Sequence, residues 1–292
     1  LHDALPIFYK MKKVLSVACA LCMTTAMLTG CGSSNNAGTA ATGEAQNSAA
    51  ASTTTEQAST ATDAGTTLIA LITMDSLDQH WVTLNEGAQK AAAELGVTVQ
   101  FMAPNTKDDA QQIECVNNAV SAGAQAIIVA ANGPDAISSA LREASDAGVK
   151  LIYVDSPANV SAEATFSTDN NAAGKTAGEE MKKALADAGV TSGSIGIINV
   201  NAATDSCVMR EEGFRSAFEG TDFELLETQY GEGDAAKSQS IAENYITQGV
   251  VGIFGCNEGS TTGAGNAIKA SGKDNVIGVG FDKSDAILGL DR

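Results

Sequence analysis

The chain has 292 residues, of which 17 are Lys or Arg and 35 are Asp or Glu, so its formal net charge at pH 7 is −18. This balance argues against non-specific nucleic-acid binding, which depends on basic side chains that neutralise phosphates, and against electrostatic docking on anionic lipid. The hydrophobic fraction of 44% is that of a globular protein. Because the chain has only two histidines, His2 and His80, we expect no site that needs a pair of them.

The N-terminal region has the organisation of an export signal. Residues 1–10 precede Met11 and fit no part of such a signal, so we interpret them as an artefact outside the fold. Residues 11–30 combine a basic start with an uncharged, mostly apolar run over 14–28, which is too short to span a bilayer comfortably. The run ends in Leu-Thr-Gly before Cys31, which resembles the lipobox of bacterial lipoproteins. The resemblance implies that Cys31 is lipidated and holds the protein on the outer face of the cell membrane, the periplasmic side if the source is Gram-negative.

The residues that follow predict a tether. With Cys31, residues 31–66 form a segment that contains three acidic side chains, no basic one and, after the cysteine, no apolar side chain larger than Ala. Such a composition cannot bury enough surface to offset the entropy lost on ordering. We therefore expect a disordered link between a lipid anchor and a folded domain.

From residue 67 onward the sequence alternates between β-rich runs and amphipathic helices. Continuous apolar runs are typical of parallel strands that are covered on both faces, and glycines just before several strands predict left-handed helix ends. The fold class is therefore α/β, with parallel sheets flanked by helices. The first helix has an apolar face at helical spacing, formed by Trp81, Leu84, Ala88, Ala91 and Leu95. The predicted strands cover residues 68–73, 97–102, 126–131, 149–154, 164–167, 194–200, 223–229, 250–255 and 276–280.

Two phosphate-binding patterns are incomplete. Gly174-Lys175-Thr176 looks like the end of a P-loop, but Asp169 stands where that motif needs Gly, and the segment falls within a predicted helix. The pair Gly263 and Gly265 lacks the third glycine of a dinucleotide fingerprint. No Ser-His-Asp set and no metal-ligand spacing is present, so we expect no cofactor, no metal site and no enzymatic activity. The three cysteines beyond Cys31 are interpreted as buried small hydrophobes: Cys115, Cys207 and Cys256.

Side chains just after the strands are the binding candidates, because ligands of α/β sheets bind outside the carboxyl ends of the strands. Trp81 is either a core anchor or a flat wall for a ring-shaped ligand, and Asp78 is also suited to capping the first helix. Arg210 is either a surface partner of Glu211 or a buried group near Asp155 and Asp282. In the second case, it would offer several donors to a hydroxylated ligand.

Five segments together resemble the ribose-type family of type I periplasmic binding proteins, the sugar receptors of ABC importers. They are residues 84–92 (LNEGAQKAA), 148–155 (GVKLIYVD), 167–174 (STDNNAAG), 210–214 (REEGF) and 279–282 (VGFD). The resemblance implies a two-lobed fold with lobe 1 over residues 67–168 and lobe 2 over 169–292, and with the C-terminal return to lobe 1 missing. It also implies these ligand contacts: Asp78, His80, Trp81, Asn132, Asp155, Arg210, Asn257 and Asp282.

The sequence departs from the family pattern at several of these points. Gln79-His80 replaces the usual Pro-Phe, Ser156 replaces an Arg, Ala130 an Asn and Glu258 an Asp, so ribose itself is not favoured over another sugar or polyol. The implied protein is a monomer that hands its solute to an ABC permease. Two alternatives stay open: the same fold as the ligand-sensing input of a chemoreceptor or sensor kinase, and an enzyme that uses Asp155 and Asp282 as paired carboxylates.

Overall fold

The computed structural model describes residues 7–8 and 66–291, with the side chains of residues 7, 8 and 291 excepted. The predicted signal peptide, Cys31 and nearly all of the predicted tether lie outside the described residues. Within the described part of the chain, no helix combines the length and apolar character needed to cross a membrane.

Strands and helices alternate along the described residues, as the sequence predicts. The strands are β1 (Ile7–Phe8), β2 (Leu68–Ile72), β3 (Thr98–Met102), β4 (Ala126–Val129), β5 (Lys150–Val154), β6 (Ala164–Phe166), β7 (Gly193–Asn199), β8 (Phe223–Leu225), β9 (Gln229–Tyr230), β10 (Gly252–Gly255) and β11 (Ile277–Gly280). The helices are α1 (Gln79–Leu95), α2 (Asp109–Ser121), α3 (Pro134–Asp146), α4 (Asn170–Asp187), α5 (Asp205–Ala217), α6 (Ala235–Gln248), α7 (Glu258–Ser271) and α8 (Asp285–Leu288).

Two separate sheets divide these elements. The first has the order β3-β2-β4-β5-β6 and is parallel throughout. The second has the order β1-β11-β10-β7-β8, with β9 also paired to β7, and is parallel except for β1. We call the two halves lobe 1 and lobe 2. The fold is thus α/β with parallel sheets flanked by helices, as predicted.

Each lobe has its own apolar core. In lobe 1, Ile72 and Ile127 of the sheet pack with Leu141 of α3, and all three side chains are fully buried. In lobe 2, the rings of Phe214 and Phe254 stack with centroids 4.0 Å apart. Because the strands of each lobe are covered by helices, their carboxyl ends are the part of each sheet left for polar side chains.

The glycines that precede strands end helices as expected. Gly96, Gly249 and Gly272 are the C-terminal caps of α1, α6 and α7, with φ of 66°, 85° and 62°. Glycine occupies this left-handed region without the steric cost of a Cβ atom. The two segments considered as phosphate-binding patterns, residues 174–176 and 263–265, lie inside α4 and α7, so they form no loop.

The structure corrects the predicted apolar face of α1. Trp81 is buried, but Leu95 is 74% exposed and Ala91 is exposed as well. Leu95 and Ala91 are exposed because α1 packs against β3, which is the edge strand of its sheet. Helical spacing identifies a face, but the neighbours available to that face decide its burial.

The predicted strand over residues 223–229 is two strands, β8 and β9. Two backbone carbonyls between β8 and β9 accept hydrogen bonds from side chains. Arg215 donates to Leu226 O at 3.1 Å, and the Tyr245 hydroxyl donates to Glu227 O at 2.7 Å. The register with β7 also shifts by one residue between the two strands, which is the geometry of a bulge.

The edge of the second sheet carries a strand from residues interpreted as lying outside the fold. Ile7 and Phe8 pair antiparallel with Gly280 and Val279 of β11. The interpretation of residues 1–10 did not anticipate this pairing.

Candidate functional site

A cavity between the lobes collects polar side chains from the carboxyl ends of both sheets. It holds about 350 Å³ of empty space, counting the part open to solvent. Seven of the eight predicted ligand contacts line it, while their role in binding stays a prediction. The lining residues are Met74, Asp78, His80, Trp81, Lys107, Asp155, Val200, Thr204, Ser206, Cys207, Arg210, Asn257 and Asp282.

Two aspartates occupy equivalent places at the ends of strands. Asp155 follows β5 in lobe 1 with φ of 58°, and Asp282 follows β11 in lobe 2 with φ of 73°. Non-glycine residues adopt this left-handed conformation at a cost, and such strain is concentrated at functional sites. Among the described residues, Asp282 has no hydrogen-bond partner. Burial raises the pKa of Asp282, although the charge of Arg210 opposes the rise.

Arg210 is buried in this cavity with 7% of its surface exposed. Its Nε donates to Asn170 Oδ1 at 2.9 Å, and its Nη1 donates to Cys256 O at 3.0 Å. The guanidinium carbon lies 4.4 Å from the centroid of the Phe281 ring. Nη2 is 3.7 Å from Asp155 Oδ1. These contacts fix the guanidinium and leave Nη2 as the donor nearest to the cavity and to Asp155.

The alternative of a surface pair between Arg210 and Glu211 is excluded. Glu211 instead accepts a hydrogen bond from Arg215 Nε at 2.8 Å and another from Asn199 at 2.8 Å. Arg210 and Glu211 therefore point to different sides of α5, with only the arginine directed into the cavity.

The N-terminus of α1 contributes an aspartate, a histidine and a tryptophan. Asp78 caps the helix, since its Oδ1 accepts from His80 N at 3.1 Å. Trp81 is both core and wall: it is 4% exposed, packs with Met74 and Ala130, and lines the cavity. The His80 ring meets it edge-on with centroids 4.6 Å apart. Trp81 Nε1 is buried without a hydrogen-bond partner.

Lys107 is a site residue that the sequence analysis missed. It lies in the loop after β3, and its ammonium contacts Asp75 Oδ2 and lies 3.6 Å from Asp78 Oδ2. Burial disfavours the charged form of Asp75, but the charge and hydrogen bond of Lys107 outweigh it and lower the pKa of Asp75. The signal in the sequence is its position, because Lys107 follows the carboxyl end of the predicted strand that became β3.

The N-terminus of α7 contributes two further groups. Asn257 caps this helix, because its Oδ1 accepts from Ser260 N at 3.1 Å and from Ser260 Oγ at 2.7 Å. Its Nδ2 is buried without a partner, as is Glu258 Oε2 beside it. Asn257 Nδ2 and Trp81 Nε1 are thus two buried polar atoms that lack protein partners, and both belong to residues that line the cavity. Such atoms are costly unless something else pairs with them.

The structure does not bring Asn132 to the other predicted contacts. Its amide donates to Asp109 Oδ1 at 2.6 Å, and it lines a neighbouring opening between the lobes rather than the main cavity. Its backbone carbonyl accepts from Thr204 Oγ1 at 2.9 Å. Lys107 borders both spaces. Asn132 therefore contributes to contact between the lobes.

The arrangement is suited to binding by hydrogen bonds. The carboxylates of Asp78, Asp155 and Asp282 offer acceptors, and Arg210 and Asn257 offer donors.

Within the described residues, no group of three or more His, Cys, Asp or Glu side chains is placed to hold a metal ion. Burial raises the pKa of the Cys207 thiol to about 11, which keeps this cavity-lining cysteine protonated and unreactive.

Comparison with known proteins gives a consistent picture. A family model described as "Periplasmic binding protein domain" matches residues 69–290. The chain is 30% identical over 230 residues to the ribose import binding protein RbsB of Haemophilus influenzae, covering 78% of this chain and 76% of that protein. It is 28% identical over 235 residues to the D-apiose import binding protein of Actinobacillus succinogenes, covering 79% and 74%.

A solved structure supports the same relationship. The carbohydrate transporter solute binding protein from Agrobacterium radiobacter, in complex with D-arabinose, superposes with a TM-score of 0.74 at 27% identity. The match covers 78% of this chain and 80% of that one.

Proposed function

Because the chain belongs to the type I periplasmic sugar-binding proteins of ABC importers, we propose that it captures a sugar or related polyol in the interlobe cavity and delivers it to an ABC permease. The observation that carries this proposal is the cavity, where charged and amide groups of both lobes converge beside unpartnered buried polar atoms. A hydroxyl-rich solute supplies donors and acceptors together, so it can pair with both kinds of group.

Each side chain has a role in this proposal. Asp78, Asp155 and Asp282 accept hydrogen bonds from sugar hydroxyls, while Arg210 and Asn257 Nδ2 donate to hydroxyl oxygens. Trp81 provides a flat apolar surface for the carbon face of the ring, and its Nε1 donates to an oxygen at the ring edge. A buried polar group left unpaired loses more binding free energy than one hydrogen bond contributes. An epimer with a hydroxyl in the wrong place leaves such a group unpaired, so it binds more weakly.

The sugars in the names of the related proteins are the probes for a binding test. They are D-ribose, D-apiose, D-allose and D-arabinose. We expect at least one of these, or a related polyol, to bind with one-to-one stoichiometry in isothermal titration calorimetry and to raise the melting temperature. If no sugar or polyol binds, the proposal is wrong.

The variant Asp282→Asn tests the site. Asn keeps the shape of the side chain and tolerates the left-handed backbone, so it removes the charge without new strain. Because hydrogen bonds to charged groups are the stronger ones, we expect affinity to fall by about tenfold to a hundredfold. The measurement is the titration above, on wild type and variant.

Asp274→Asn is the matched control, since Asp274 is exposed and lies shortly before β11. It should bind like the wild type. Full retention of affinity in Asp282→Asn would remove Asp282 from the site.

The proposal includes location and assembly. An extracytoplasmic receptor anchored through lipidated Cys31 and the following tether can meet its permease at the membrane. We propose that it acts as a monomer, which sedimentation velocity with and without sugar tests directly. The relatives with importer names favour delivery over sensing.

A further inference from the structure

The first turn of α5, in lobe 2, contacts lobe 1 directly beside the cavity. Ser206 Oγ lies 2.8 Å from Ser156 Oγ, and Ser206 N donates to Ser156 Oγ at 3.3 Å. Both serines are fully buried or nearly so, at 0% for Ser156 and 2% for Ser206. Since buried hydroxyls need partners, the two serines supply partners to each other across the lobes.

A second bond from the same turn reinforces the first. Thr204 Oγ1 donates to the carbonyl of Asn132 at 2.9 Å, and Thr204 is 1% exposed. The turn thus holds two strand-end loops of lobe 1, those after β4 and β5. We call the set of Asn132, Ser156, Thr204 and Ser206 the α5 latch. All of its bonds are formed by protein groups alone, so it contributes to closure without a sugar.

The latch also reaches the carboxylate of Asp155. Ser206 Oγ is 3.0 Å from Asp155 Oδ2, and Ser156 Oγ is 2.9 Å from the same oxygen. The other oxygen, Oδ1, is the one 3.7 Å from Arg210 Nη2. One hydroxyl from each lobe therefore occupies one side of the Asp155 carboxylate, and its second oxygen is left for Arg210 and the cavity.

We propose that Ser206 and Ser156 are positioning residues, which stabilise the closed lobes and turn Asp155 so that Oδ1 faces the sugar. This inference rests on the proposed function. A receptor binds its ligand with an apparent affinity proportional to the fraction already in the competent form. Bonds that favour closure therefore strengthen binding of every sugar that the cavity accepts, without selecting among them.

Two carboxylates near the latch, those of Asp155 and Asp205, oppose closure of the lobes, so the hydrogen bonds of the serines matter more for closure. Asp205 lies in the same turn, and burial together with the charge of Asp155 raises its pKa. Two carboxylates approach each other when the lobes close, and their repulsion opposes closure. The Ser206 hydroxyl, which donates to Asp155, and the positive end of α5 offset this repulsion.

Ser206→Ala tests the inference with two readouts. The chain has one tryptophan, Trp81, and it lines the cavity. We expect acrylamide quenching of ligand-free Trp81 fluorescence to increase, because the lobes open more often. In calorimetry with D-ribose, D-arabinose and D-allose, we expect affinity to fall by about three- to tenfold, by the same factor for each sugar that the wild type binds.

Ser216→Ala is the matched control, because Ser216 is on the same helix and its hydroxyl donates only to Gly213 O at 2.7 Å. It should match the wild type in both readouts. Ser206→Thr keeps the hydroxyl, so its sugar affinity should be much closer to that of the wild type than the affinity of Ser206→Ala. A residue needed only for packing would not show this recovery. Ser156→Ala should reproduce Ser206→Ala, and it replaces that variant if Ser206→Ala does not fold.

Unchanged quenching and affinity in the folded serine variants would overturn the inference. A change in the ranking of sugars would also overturn it, since it would mean that the serines contact the ligand. If no sugar binds the wild type, the proposed function fails, whereas the quenching comparison still decides whether the latch holds the lobes together.

Discussion

Glu258 is an acidic residue whose environment disfavours its ordinary charge state. It is the first residue of α7, and its Oε2 is buried without a hydrogen-bond partner in the described structure. Burial, then contact with Asp78, and then the charge of Asp282 raise the pKa of Glu258 to about 7, against an opposing hydrogen bond from Ser284. The carboxyl group therefore gains and loses its proton near neutral pH.

This property predicts a pH dependence of stability in the ligand-free protein. A folded-state pKa above the ordinary value means that the folded chain binds the proton more tightly than the unfolded chain. The resulting stabilisation is complete below the ordinary pKa of glutamate and is lost as pH rises through about 7. Glu258→Gln mimics the protonated group, so we expect its melting temperature to fall less than that of the wild type between pH 5 and pH 8. The difference should be about 2–4 °C, which corresponds to roughly 1 kcal/mol after allowance for solvent screening.

Differential scanning calorimetry across this pH range makes the measurement. Glu94→Gln, at an exposed position on α1, is the control and should follow the wild type. Equal pH profiles for Glu258→Gln and the wild type would contradict the assignment.

At the scale of single residues, the sequence placed seven of the residues that line the cavity, but it did not single out Lys107 and it misplaced Asn132. Lys107 has no local pattern that marks it as a site residue, because its ion pairs are with Asp75 and Asp78, which are distant in sequence. Asn132 was chosen for its proximity to a strand end, but Asp109 holds its amide in a neighbouring opening. Position along the chain brings a residue to the right edge of a sheet, whereas its hydrogen-bond partners decide which way it points.

Among the elements, the pair α4 and α5 supports the site through close backbone contact. A Cβ atom on Gly174 would lie 1.9 Å from Arg210 O, and one on Gly213 would lie 2.0 Å from Asn171 O. Only glycine allows the two helices to approach so closely. The approach brings Asn170 of α4 within 2.9 Å of Arg210 Nε, which orients the guanidinium.

Gly213→Ala is therefore expected to destabilise the protein. The added methyl overlaps backbone atoms, which cannot move aside as a side chain can, so the free energy of unfolding should fall by about 1–3 kcal/mol or more. Sugar affinity should weaken as well, because Arg210 and Ser206 are on the displaced helix. Urea unfolding and calorimetric titration make the two measurements.

Gly87→Ala provides the contrast. Gly87 is inside α1, and a Cβ atom there meets nothing within 4 Å. Because Ala is the better helix former, this change should raise the free energy of unfolding by up to about 1 kcal/mol. If both variants change stability equally, close packing of α4 on α5 is not the cause.

For the whole molecule, the proposal is a folded receptor held at a membrane by a lipid on Cys31. On this proposal Cys31→Ser removes the acyl chains, each of whose buried CH₂ groups contributes about 0.8 kcal/mol to membrane binding. We expect the variant to move from the membrane fraction to the soluble extracytoplasmic fraction, with its sugar affinity unchanged. Fractionation followed by mass spectrometry of the N-terminal peptide measures both location and lipid.

The comparison variant is Cys115→Ser, which alters a free cysteine of the folded domain and leaves Cys31 in place. It should remain in the membrane fraction. Retention of Cys31→Ser at the membrane would show that another segment anchors the protein.

The sequence by itself determined the α/β class, the helix ends at glycine and seven of the residues that line the cavity. The first two depend on local causes, namely periodicity and the left-handed conformation of glycine. The cavity residues follow from the family resemblance and from the rule that parallel strands direct their carboxyl ends to one edge. Only the tertiary structure decided the contacts that residues of one element make with those of another. The exposure of Leu95, the interruption after β8, the burial of Lys107 and the serine contact across the lobes all depend on residues distant in sequence. Local patterns do not encode such partners, because packing of the folded chain selects them.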